Sequence, residues 1–159
     1  MPARLELEAS QACQPAELIA RAVAAVALAA LAMIHVLDLP ATLGPTPLVA
    51  AGYFGVIAGS IAVGAALIAR SHPLIWLSAA ALAASTMGGY LLTRTVGFLD
   101  DHGDIGNWRC SLGIAALSVE GLIIGLATWR ARATGRNAAD RQHGPQTRPV
   151  RREYSHSRG

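Results

Sequence analysis

The sequence predicts an all-α protein, a four-transmembrane-helix bundle with both termini cytoplasmic. Three observations predict it. Of 159 residues, 53% are hydrophobic and only 14% charged, where a soluble domain carries about 25% charged residues, so the composition argues against a water-soluble enzyme. The apolar residues gather into four stretches near the length that a bilayer needs, about 20 helical residues for a hydrocarbon core about 30 Å thick. The charge is divided along the chain: residues 130–159 hold eight Arg against Asp140 and Glu153, whereas residues 1–129 hold five Arg against eight carboxylates. A basic tail therefore follows a mildly acidic, very apolar body. All thirteen basic residues are arginine, which beside abundant Ala and Gly reads as the codon bias of a GC-rich genome.

Residues 1–16 are a short N-terminal cytoplasmic segment. The first span, about 18–39, is interrupted only by Arg21, His35 and Asp38. A signal peptide is its alternative, with Ala27, Ala29 and Ala30 imitating a cleavage site. Against that, Glu6, Glu8 and Glu17 beside Arg4 make a poor basic leader, and the apolar stretch is longer than a signal core. The second span, about 48–70, carries no charge before Arg70, and the third, about 74–95, none before Arg94. The fourth, about 109–130, has Glu120 as its one ionisable interior residue. Pro40, Pro45 and Pro47, then Gly97, Gly103 and Gly106, mark the turns. Residues 131–159 are an Arg-rich cytoplasmic tail without apolar periodicity, expected to be disordered and drawn to anionic lipid at about 1 kcal/mol per arginine.

Arginine placement sets the orientation. Arg4, Arg21, Arg70, Arg130 and Arg132 lie on the inner side of this scheme, and the first loop has no arginine. The third loop has Arg94 and Arg109, flanked by Asp100, Asp101 and Asp104. Trp76 and Trp129 then fall at the inner interface and Trp108 at the outer one, as an aromatic belt requires. Cys13 lies inside and Cys110 outside, which excludes an intrachain disulfide. Helices in lipid associate through small residues, and Ala51, Gly55 and Gly59, Ser60 and Gly64, Ala79 to Ala84, Gly88-Gly89, and Gly121 with Gly125 offer such ridges.

Glu120 is the sharpest feature. Twelve residues from Trp108, it lies roughly 18 Å deep, where an ionised carboxylate is costly. Ser60, Ser85 and Thr86 fall at a matching depth. They are the expected hydrogen-bond partners of a neutral acid that fixes helix register; a proton-carrying carboxylate is the functional alternative. A second polar set gathers at the outer end: His35, Asp38, Tyr53, Tyr90, Arg94, Asp100, Asp101, His102, Asp104 and Trp108. The favoured reading of that set is interfacial hydrogen bonding with an Asp38–Arg94 ion pair fastening helix ends. His and Asp clusters also bind divalent metals, so a metal there stays open, although Ile105 stands where a calcium loop needs Gly. His35, His72 and His102 share no buried level, which argues against a bis-histidine haem. No catalytic triad, phosphate loop or zinc helix is present, and no cofactor is implied.

On His35 to Asp38, Tyr53-Phe54-Gly55, Gly89-Tyr90-Leu91-Leu92-Thr93-Arg94-Thr95-Val96-Gly97, Asp104-Ile105-Gly106-Asn107-Trp108 and Glu120, the chain resembles small four-helix integral membrane proteins of actinobacteria. The resemblance spans roughly residues 18–130 and implies architecture and lineage, with no particular chemistry. The function expected is that of a multi-pass plasma-membrane protein, a non-enzymatic accessory or interaction subunit. The alternatives are a small proton- or ion-coupled transporter using Glu120, and a metal-binding or redox membrane component. The expected partners are the lipid bilayer and either another protein or further copies of the chain; no nucleic acid is expected, since Tyr154 is the lone aromatic of the basic tail.

Overall fold

The computed structural model describes the backbone of residues 2–97 and 101–142, and within them the side chains of 15–97, 101–136 and 138–139. Among the described residues the secondary structure is helical apart from turns and an isolated bridge residue at Asp101. The four helices are α1 (Pro2–Thr42), α2 (Pro47–Ala69), α3 (Pro73–Thr95) and α4 (Ser111–Gln142). Within them, Pro15–Thr42, Pro47–Ala69, Pro73–Thr95 and Ser111–Arg136 are long and apolar enough to cross a membrane. At 23 residues each, α2 and α3 reach about 35 Å, slightly more than a hydrocarbon core.

Local chemistry sets the helix ends. Pro47 and Pro73 open α2 and α3, where a missing N–H costs nothing and the ring presets φ. The His72 side chain adds a cap by accepting from the Leu74 amide at 3.2 Å. After Val96, Gly97 turns to φ +75°, a left-handed conformation that favours glycine at a helix end. Three boundaries differ from the sequence reading. α1 begins at Pro2 and carries Pro15 inside, so the segment before the first span is helical. It also runs to Thr42 with Pro40 inside its last turn, where the sequence reading places a turn. α4 continues past Arg130 to Gln142, because Ala131, Ala133, Ala138 and Ala139 sustain a helix and no proline interrupts before Pro145. Residues 143–159, with His143, Tyr154 and His156, lie outside the described residues, as do the side chains of Arg4, Glu6, Glu8 and Cys13.

The helices alternate in direction and close a ring, each packing on its neighbour in sequence and α1 on α4. Buried residues recur at three- and four-residue intervals: Ala20, Ala24, Ala27, Leu28 and Leu31 on α1, Trp76, Ala79 and Ala83 on α3, and Ala116, Ile123 and Ala127 on α4. Such stripes face one core. Gly64 brings α2 onto α1, with the place for a Cβ 3.8 Å from Leu28 Cβ, and Gly59 seats Leu82 of α3. Ala51, Gly55, Gly121 and Gly125 instead face outward, so those small-residue ridges do not build this bundle.

At the end carrying both termini, Glu17 of α1 pairs with Arg130 of α4 at 2.6 Å and accepts from Ser71. Arg21 donates to the last carbonyls of α2, Leu67 at 2.6 Å and Ile68 at 2.5 Å. A cation there satisfies orphan carbonyls and opposes the helix dipole. The bundle is apolar outside as well as in its core, and a few polar groups are buried within it. Val26, Ile61, Ile68 and Leu77 are exposed, whereas His35, Ser60, Thr93, Arg94 and Glu120 are buried. An apolar exterior of this extent fits a lipid surround.

Candidate functional site

A cavity of about 310 Å³ lies among the four helices in the half of the bundle away from the termini. Each helix contributes through its own periodicity. α1 supplies Ile34, His35 and Asp38; α2 supplies Val49, Gly52, Tyr53 and Val56. Spacings of three and four bring Thr86, Gly89, Tyr90, Thr93 and Arg94 to one face of α3, and Gly113, Ala116 and Glu120 to one face of α4. Asp101, Asp104 and Cys110 of the α3–α4 loop complete the wall.

At the α1–α2 side, Tyr53 donates its hydroxyl to Asp38 Oδ2 at 2.8 Å. His35 Nδ1 lies 2.8 Å from the Leu31 carbonyl. That carbonyl can only accept, so Nδ1 carries a proton. The His35 and Tyr53 rings meet edge to face, 4.8 Å between centroids, a favourable arrangement for aromatic groups.

At the α3–loop side, Arg94 forms an ion pair with Asp104. The pair is held by the chain around it: Gly106 N donates to the Arg94 carbonyl at 2.9 Å, and Asn107 Nδ2 to Asp104 Oδ1 at 3.1 Å. Burial pushes the Asp104 carboxyl up, but the hydrogen bonds from Arg94 and Asn107, with the Arg94 charge, outweigh it and hold the group below the usual carboxylate range. The guanidinium carbon of Arg94 lies 4.9 Å from the centre of the Tyr90 ring, within cation–π range. Trp108 meets the Tyr90 ring edge to face at 6.2 Å. Arg94 therefore pairs with Asp104, and Asp38 takes Tyr53, in place of the expected Asp38–Arg94 pair. The loop's return onto the end of α3 decides this, because it delivers Asp104 directly to the guanidinium.

Glu120 forms the floor of the cavity, 1% exposed. It occupies the position between Ala116 and Ile123 in the buried stripe of α4. Thr86 is placed to hydrogen-bond the Glu120 carboxyl, and its hydroxyl also lies 3.1 and 2.9 Å from the carbonyls of Leu82 and Ala83. Ser85, exposed at the rim, likewise bonds the Leu82 carbonyl at 2.8 Å. Such self-bonding within a helix competes with partners elsewhere. Ser60 is buried but does not line the cavity, and its Oγ reaches no partner among the described residues. Glu120 Oε2 also has none. Two further polar atoms of the site, Arg94 Nε and the Tyr90 hydroxyl, are buried without an aligned hydrogen bond. Past Glu120 the centre is filled by Leu28, Leu67, Ala79 and Ile123.

Of the remaining residues expected at the outer end, His102 is exposed and packs on Gly97, where the place for a Cβ lies 2.9 Å from its ring. Trp108 is half-exposed beside Tyr90, and Asp100 lies outside the described residues. Among the described residues no group of three or more His, Cys, Asp and Glu side chains is placed to hold a metal ion. Sequence reasoning treated Glu120 and the outer polar set as separate features; the structure lines one cavity with both. It missed Gly113, Thr93 and Cys110 as wall residues. The signal for Gly113 was its seven-residue spacing from Glu120, two helical turns on the same face. Comparison with protein-family models, curated proteins and solved structures found no match.

Proposed function

We propose that this chain is a non-enzymatic accessory subunit of the plasma membrane, with both termini cytoplasmic, whose working part is a ligand pocket facing outward. One observation carries the reading: polar side chains from all four helices converge on a single cavity whose floor, Glu120, rests on packed apolar residues. A closed floor suits binding, whereas conduction needs a path through. The volume stands at the lower end of small-molecule sites. The outward orientation rests on the arginines Arg21, Arg70 and Arg130 at the opposite end. The lineage we propose, actinobacterial, rests on Arg94-Thr95-Val96-Gly97 and Asp104-Ile105-Gly106-Asn107-Trp108.

Cys110 lines the pocket as a free thiol, so it reports on both accessibility and sidedness. In a Cys13→Ser background, a membrane-impermeant maleimide should label Cys110 in intact cells. Labelling only after permeabilisation would reverse the orientation, and no labelling in either condition would remove the open pocket.

A second reading, a small proton- or ion-coupled transporter, draws on the buried Glu120 oxygen without a partner, since intramembrane acids serve proton relays. It requires Glu120→Gln to abolish proton-coupled uptake in vesicles while the protein stays folded.

A further inference from the structure

Three buried polar atoms of the cavity wall are left without an aligned hydrogen bond, and together they describe a ligand. Glu120 Oε2 lies at the floor, on a side chain 1% exposed. Arg94 Nε and the Tyr90 hydroxyl lie toward the mouth, their side chains within hydrogen-bonding reach of each other but without an aligned bond at either atom. An unmade hydrogen bond on a buried group costs about 1–3 kcal/mol, more on a charged one, and a native fold retains such groups where something else satisfies them. Thr86 reaches the Glu120 carboxyl, but Oε2 itself has no partner among the described residues. The group that completes Oε2 is therefore a donor within the cavity. Arg94 Nε–H requires the reverse, an acceptor.

Charge selects between the ligands that could supply both. The Arg94 charge is already matched by Asp104, which leaves Asp38, Asp101 and Glu120 as the other carboxylates that line the cavity. Tyr53 and Tyr90 line the cavity from the neighbouring helices α2 and α3. Arg94 already covers the Tyr90 face, so Tyr53 carries the aromatic contact, and aromatic rings favour cations as well as apolar bodies. An anion would meet carboxylates at the floor and on the α1 wall. Resting on the pocket reading above, we infer that the cavity binds a small primary or secondary amine in its ammonium form, nitrogen on Glu120, with a neutral oxygen acceptor directed to Arg94 Nε and Tyr90. The space of about 310 Å³ equals roughly ten water molecules at about 30 Å³ each, room for a small amine with one ring.

The test uses full-length Cys13→Ser protein in nanodiscs and follows the rate at which a maleimide modifies Cys110. Three probes of one shape are compared: 4-methoxybenzylamine, 4-methoxybenzyl alcohol and 4-methoxybenzoate. The amine should protect Cys110 at a concentration at least tenfold lower than the alcohol, and the benzoate should not protect. Glu120→Gln should raise the protecting concentration of the amine about tenfold or more and that of the alcohol far less, and continued protection by the alcohol shows that the variant is folded. Benzylamine, lacking the acceptor, should protect the parent protein only at a higher concentration than 4-methoxybenzylamine. Equal protection by amine and alcohol, or an amine indifferent to Glu120→Gln, overturns the assignment of ligand class while the accessible pocket stands. A Cys110 that never reacts overturns the pocket itself, and the ligand with it.

Discussion

Gly113 and Tyr90 show how closely one wall of the cavity is fitted. A Cβ on Gly113 would stand 3.0 Å from Tyr90 Cζ and Oη, and nearer still to Cε2. The ring cannot simply retreat, because Arg94 lies over its face and Trp108 against its edge. Gly113→Ala should therefore cost about 1–3 kcal/mol as an overpacked contact, read as a lower thermal midpoint in detergent, and should alter maleimide access to Cys110. Gly121→Ala, on the exposed face of the same helix with nothing within 4 Å of the new methyl, should do neither. Glu120 makes the opposite prediction. It stands in the line Ala116, Ile123, Ala127 as the polar member of an apolar stripe, with one oxygen unsatisfied. A carboxyl that braced the bundle would be missed on removal. One kept for a ligand is an expense to the empty protein, so Glu120→Leu should stabilise it by about 1–3 kcal/mol, read as a higher thermal midpoint, and eliminate amine protection of Cys110. A fall in the midpoint would make Glu120 a brace.

Between helices, the two ends of the bundle are held by different chemistry. Arg21 fastens α1 to the C-terminus of α2 through two carbonyls. Arg21→Gln should cost about 1 kcal/mol and speed hydrogen exchange in the last turn of α2 while leaving the cavity residues unchanged. At the other end, Asp104 holds the α3–α4 loop to Arg94, and its carboxyl titrates below the usual range. A lowered carboxylate contributes its stabilisation above its ordinary pKa and loses it as pH falls through the depressed value. The loop should therefore stay docked at neutral pH and release only in strong acid, followed by Trp108 fluorescence in a Trp76→Phe, Trp129→Phe background. Asp104→Asn should release it at every pH, and a parent protein that releases near neutrality would refute the pairing. These elements also mark how much could be read in advance. Pro47, Pro73 and Gly97 carry local φ preferences, so the ends they set were legible from the residues alone, as were the core stripes from their spacing. The choice of Asp104 over Asp38 for Arg94 was not. It depends on a loop turning back so that Gly106 meets the Arg94 carbonyl, a three-dimensional return that no periodicity encodes. The extension of α4 to Gln142 was hidden for another reason: arginine density reads as a solvated tail, although arginine and alanine are both good helix formers.

For the molecule as a whole, the question is whether the bundle ever opens beneath Glu120. The observed arrangement divides the interior into two halves of unlike character. Toward the α3–α4 loop the centre is a polar cavity; toward the termini it is filled by Leu28, Leu67, Trp76, Ala79 and Ile123, and Glu17, Arg21 and Arg130 tie the helices across that end. An accessory protein that only binds needs no second arrangement. A transporter must exchange the two halves, emptying the packed end while closing the cavity, and that exchange would have to break the Glu17–Arg130 pair and withdraw Arg21 from α2. Two engineered thiols distinguish these behaviours in a background lacking Cys13 and Cys110. Ala116 lies on the cavity wall, and Ala79, 0% exposed, lies among the packed residues of the other half. In proteoliposomes, Ala116→Cys should react with an impermeant maleimide from the loop side. Ala79→Cys should stay unreactive from either side, with 4-methoxybenzylamine present or absent. If adding the amine makes Ala79→Cys reactive from the terminal side while Ala116→Cys becomes protected, the packed half has opened on binding. The bundle would then alternate between two states, and Glu120 would be the gate of a transport path in place of the floor of a binding site.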